Sequence, residues 1–220
     1  MMPTTGSPHP HQQPTLFQAG ASPERASGAL VLLHGRGGSA QDALLLGNAL
    51  ELDSVSLFAP QADGHTWYPN SFLAPIASNE PWLGSSLNTV AGVVDRCVEL
   101  GFARERIAIA GFSQGACLAC EFVARHPAHY AGLAAFTGGL IGPPGIDLGH
   151  GGRLEGTSIL LSSGDPDPHV PWKRVEETAK QFTAMGAAVT LKKYPNRPHT
   201  IISEELVQAR ALLMPALTMS

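Results

Sequence analysis

Short apolar runs alternate with amphipathic stretches along nearly the whole chain. Ala29 to Leu33 is continuously apolar, as expected of a strand covered on both faces. Val55 to Ala59 (stopped by Pro60), Ile107 to Ala110, Leu133 to Phe136, Ile159 to Ser162 and Ala188 to Tyr194 also read as strands, and Thr15 to Gln18 reads as an edge strand. Helical stretches fall between them. They run from about Ala40 to Leu50, from Ser85 to Leu100 before Gly101, from Gln114 to His126 before Pro127, and from Val170 to Met185 before Gly186. The last begins at Ser203, a suitable N-cap, and ends near Leu213. Gly64 to Trp82 and the glycine-rich Gly138 to Gly156 carry neither period and read as loops. This alternation predicts an α/β domain: a mostly parallel, doubly wound sheet with helices on both faces. In such sheets the functional site lies beyond the carboxyl ends of the strands. There is no room for a separate cap domain, so loops alone should roof the site.

Composition narrows the reading. The 220 residues suit one domain with a substantial core, since 44% are hydrophobic and 15% charged. A formal net charge of −4 without blocks of like charge argues against a nucleic-acid or anionic-membrane partner. The apolar runs are of strand length, too short to insert into a bilayer. Residues 1–14 are rich in Pro, His, Thr and Gln, have no signal-peptide pattern, and read as a mobile tail in which His9 and His11 are solvated, with the domain spanning 15–220. Cys97, Cys117 and Cys120 are an odd number for a disulfide framework. Cys117 and Cys120 read as small buried hydrophobes on a helix, and reduced thiols suggest the cytoplasm.

The chemistry begins at Gly111-Phe112-Ser113-Gln114-Gly115, between a predicted strand and a predicted helix. There Gly-x-Ser-x-Gly makes a sharp turn that projects a nucleophilic serine above the sheet. In a bland setting the same serine only caps the helix. A serine nucleophile needs a base, and the base needs an orienting acid, in the chain order Ser, Asp or Glu, His. The loop after the Ile159 strand supplies Asp165 and Asp167, and the residues alone leave the choice between them open. Of nine histidines, His199 follows the last strand and has the right order. His34 precedes the serine. Two backbone N–H groups should hold the oxyanion, one from Gln114 and one from Arg36 in His34-Gly35-Arg36-Gly37-Gly38. A glycine-rich loop can also bind phosphate, but the lysine of a P-loop is absent.

Four segments together carry a resemblance: Leu33 to Gly38, Gly111 to Ala116, Gly164 to Pro171 and Tyr194 to His199. Over about Leu16 to Leu213 the chain resembles the phospholipase/carboxylesterase family of α/β-hydrolases, which includes bacterial carboxylesterases and acyl-protein thioesterases. The resemblance implies an α/β-hydrolase fold, Asp167 as the acid with Asp165 structural, and a homodimer. Two departures, Gly37-Gly38 after Arg36 and Arg197-Pro198 before His199, place the chain nearer the small bacterial esterases.

Trp67 to Phe72 and Glu80 to Leu83 lie near the carboxyl edge of the sheet. Their aromatics either wall an acyl pocket or pack the loop onto the sheet, with Trp82 favoured over Trp67 as a wall. Ile141 to Asp147 can form another wall, and His169 sits close enough to the acid to line the pocket. The expected activity is hydrolysis of a small-molecule ester of short to medium acyl chain through an acyl-serine, with no metal or organic cofactor. Its rivals are a thioesterase for acyl-protein or acyl-CoA and a non-catalytic binding protein.

Overall fold

The computed structural model describes residues 10–11 and 14–218. Seven strands form one sheet: β1 (Leu16–Gly20), β2 (Gly28–Leu33), β3 (Val55–Pro60), β4 (Ile107–Phe112), β5 (Gly132–Phe136), β6 (Ser158–Asp165) and β7 (Ala188–Pro195). Their order is β1-β3-β2-β4-β5-β6-β7, and only β1 runs antiparallel to its neighbour. Five helices cover it: α1 (Ala40–Ala49), α2 (Trp82–Glu99), α3 (Gln114–Arg125), α4 (Trp172–Ala184) and α5 (Ser203–Thr218). This is the α/β-hydrolase architecture, with no cap domain among the described residues.

Side chains alternate across each strand, so neighbouring residues feed different cores. Val31 and Leu33 of β2 join Leu87 and Val94 of α2, Leu118 of α3 and Phe182 of α4. Leu30 and Leu32 join Ala43 of α1 and Leu213 and Leu217 of α5. Every residue of β2 and β3 is buried, which is why those strands read as unbroken apolar runs.

Two helices outrun their expected bounds. α2 starts at Trp82 rather than Ser85, because Pro81 sets the first turn and the Glu80 carboxylate accepts from Gly84 N at 2.9 Å. α5 continues through Pro215 to Thr218, where fully buried Leu217 packs on Gly28. Most of the tail expected at residues 1–14 lies outside the described residues. His11 does not fit it: the residue is 3% exposed and packs against the rings of Trp67 and Trp82. Its Nδ1 accepts from Asp63 N, so Nε2 carries the proton and donates to Trp67 O at 3.1 Å. Burial lowers its pKa and keeps this neutral form.

The three cysteines are free and buried. Burial pushes the Cys97 and Cys117 thiols up to about 12, so they pack rather than react. Among the described residues no helix is long and apolar enough to cross a membrane, and no His, Cys, Asp and Glu cluster could hold a metal.

Candidate active site

Three loops at the carboxyl ends of β4, β6 and β7 converge. Ser113 stands between β4 and α3 with φ 54 and ψ −117, a strained conformation for a residue with a side chain. Two glycines make the turn possible. A Cβ on Gly111 would lie 2.5 Å from the carbonyl of Gly115, and one on Gly115 would lie 2.2 Å from Leu33 O. Ser113 N donates to Phe136 O at 2.9 Å, which ties the turn to the next strand.

The Ser113 hydroxyl lies 2.9 Å from His199 Nε2, and His199 Nδ1 lies 2.8 Å from Asp167 Oδ2. The other oxygen of Asp167 accepts from the N–H groups of His169 and Val170, each at 2.9 Å. Burial on its own would raise the Asp167 pKa. The hydrogen bonds from His199, His169 and Val170 outweigh it and hold the carboxyl below its ordinary value. Asp167 is therefore an anion fixed behind the imidazole. Asp165 points elsewhere and pairs with Lys193 at 2.5 Å.

Buried charges anchor the His199 loop. Arg197 is 6% exposed and donates to Thr137 Oγ1 at 2.7 Å and to the carbonyls of Pro198 and Thr200. Its Nε lies 3.6 Å from Oε2 of fully buried Glu205 in α5. Glu205 also accepts from Ser162 Oγ at 2.6 Å and from Ile202 N at 3.0 Å.

Ser113 and His199 open into a cleft of about 690 Å³, also lined by Gly35, Arg36, Gln114, His169 and the stretch Tyr68 to Phe72. His169 stands edge-on to His199, ring centres 4.9 Å apart. Gln114 is the first residue of α3, where N–H groups have no partner within the helix. Its side chain accepts from Trp67 N at 3.0 Å and donates to Tyr68 O at 2.8 Å, which moors the aromatic loop to the serine turn.

Three expected pocket residues are corrected. Trp67 is fully buried and its Nε1 donates to His34 O at 2.9 Å, so it packs beneath the cleft. Trp82 opens α2 and packs against His11. Ile141 is 2% exposed, its N–H held by Glu121 at 3.0 Å. None of the three lines the cleft. Tyr68, Phe72 and Phe112 supply the aromatic wall instead. The sequence gives no sign of the role of His34. This buried residue bonds Gly35 O through Nδ1 at 2.8 Å and accepts from Ala62 N through Nε2 at 3.1 Å, and so shapes the Gly35–Arg36 turn.

The sheet order and flanking helices are those of the α/β-hydrolase class, and the hydrogen-bonded Ser113, His199 and Asp167 lie at the carboxyl ends of its strands. The phospholipase/carboxylesterase family model matches residues 17–214, and the chain belongs to that family. It is similar to lysophospholipase-like protein 1 of Mus musculus, 25% identical over 212 residues that cover 88% of each chain. It is 30% identical to acyl-protein thioesterase 1 of Saccharomyces cerevisiae over 138 residues, 61% of this chain and 60% of the yeast protein. Among solved structures it is similar to a phospholipase/carboxylesterase from Dyadobacter fermentans, at 42% identity and TM-score 0.88 over 92% of this chain and 97% of that one.

Proposed function

We propose that the protein is a serine carboxylesterase that cleaves small-molecule esters of short to medium acyl chain through an acyl-serine. One observation carries this reading: the unbroken relay of 2.9 Å and 2.8 Å from Ser113 through His199 to Asp167, open to a cleft. His199 takes the proton of Ser113 as its oxygen attacks the ester carbonyl. Asp167 fixes the imidazole tautomer and stabilises its cation. The N–H groups of Arg36 and Gln114 receive the oxyanion. His199 then protonates the departing alcohol, and water releases the acid by the same route. The reading calls for no metal or organic cofactor. Buried free thiols fit a reducing compartment such as the cytoplasm, and the homodimer rests on the family resemblance.

A fluorophosphonate probe with intact-mass readout tests it. One adduct should form on the wild type and none on Ser113→Ala, whose turnover should fall by roughly four to six orders of magnitude. An adduct that persists in the variant removes Ser113 as nucleophile. p-Nitrophenyl esters from acetate to palmitate should peak at short to medium chains, and faster palmitate turnover would overturn the chain-length assignment. The likeness to a yeast acyl-protein thioesterase supports a second reading, thioester hydrolysis. Matched oxygen esters and thioesters in competition separate the two.

A further inference from the structure

Among the described residues lining the cleft, Arg36 alone carries a permanent charge. The side chain is exposed, yet it does not wander. Nη1 donates to Thr66 Oγ1 at 3.0 Å and to Pro69 O at 2.9 Å, and Nη2 donates to Asn70 O at 2.7 Å. The guanidinium also lies over the Tyr68 ring, 5.9 Å from its centre. All these partners are neutral, and among the described residues no carboxylate pairs with it. A guanidinium has five N–H donors, and three are committed here. Nε–H and one Nη2–H remain, donors of the kind that charge-assisted bonds to a carboxylate use.

The side on which an anion would sit follows from the chemistry. The departing alcohol takes its proton from His199, so it lies against the wall that His199 shares with Pro168, His169 and Val170. The carbonyl oxygen points to the N–H groups of Arg36 and Gln114, and an acyl chain that runs past it along Arg36 and Tyr68 to Phe72 meets the guanidinium. We infer that Arg36 is a carboxylate-binding subsite for the acyl group, and that the preferred substrates are monoesters of dicarboxylic acids. This rests on the esterase reading. The reaction stays hydrolytic: water supplies the new hydroxyl of the acid and the proton of the alcohol, and the product is a dicarboxylate.

The test compares kcat/KM for monoethyl adipate and ethyl hexanoate, a charged and a neutral ester of equal acyl length. Wild type should favour the half-ester by about tenfold or more, the size of one charge-assisted pair. Added salt should erode that ratio, and Arg36→Met should bring it towards parity. A wild type that hydrolyses ethyl hexanoate as well or better overturns the proposal, as does a ratio that survives Arg36→Met. Should Arg36→Met not fold, the wild-type ratio and its salt dependence decide alone. A probe adduct at Ser113 without turnover of the half-ester also overturns the subsite, while leaving the nucleophile in place. Absence of any adduct removes the esterase reading itself, and the subsite with it.

Discussion

The serine turn and the histidine loop reach the same point by opposite means. Ser113 is held by what is missing: Gly111 and Gly115 have no Cβ, so β4 and α3 close onto the backbone of Leu33 and His34. His199 is held by what is present: Arg197 and Glu205, buried and joined to Thr137 and Ser162. The first arrangement is steric and depends on two glycines beside the serine in sequence. The second is electrostatic and spans 60 residues between Arg197 and Thr137. A steric turn fails when an atom is added, a buried polar one when an atom is removed.

Substitutions ranked by their cost in stability sharpen that contrast. Arg197→Met strands Glu205 without its cation and should cost about 3 to 5 kcal/mol in denaturant unfolding. Arg197→Met/Glu205→Met should recover part of that loss, since an apolar pair leaves no buried charge. A single variant as stable as wild type would mean that the loop is held locally after all. Gly115→Ala should cost about 3 kcal/mol, the upper end for overpacking, because the atoms it meets are backbone and cannot rotate away. Probe labelling of Ser113 should slow in the same protein. Unchanged labelling would separate the turn from the nucleophile's placement.

Asp167→Asn should have the smallest effect, about 1 kcal/mol near neutrality, and a pH signature. The folded state holds the Asp167 carboxyl below its ordinary value. Its contribution is therefore complete above the unfolded value of about 3.9 and is lost as pH falls through the folded one. The Tm difference between wild type and variant should be constant at neutral pH and shrink below about pH 4. A difference independent of pH would contradict the shift.

The same contrast explains what the sequence made legible. Strand periods, helix stops and the glycines around Ser113 are local signals, and the seven strands and five helices follow them closely. Among residues paired at a distance along the chain, Ser113, Asp167 and His199 were legible from motif order and the family resemblance, and pairs without a motif were not. The salt bridge between Arg197 and Glu205 leaves no local pattern. The sequence leaves Trp67 as either a pocket wall or loop packing, because its hydrogen bond to His34 O cannot be inferred from aromatic spacing. His11 sits in a segment with no period, and its partners Asp63 and Trp67 lie more than fifty residues on. α5 passed Pro215 because burial of Leu217 outweighs the local signal to stop.

The sheet ends at β7, whose outer side pairs with no other strand among the described residues. A free strand edge is a template on which another chain can extend the sheet. Here the edge carries Lys192 and Lys193 and stops at Pro195, which has no N–H to offer. Lys193 is also pinned, between the carboxylate of Asp165 and the ring of Trp172 at 5.2 Å. A second copy aligned parallel and in register along this strand would bring lysine against lysine. The strand that leads into the His199 loop therefore carries charge and a proline where an unpaired edge would otherwise template growth.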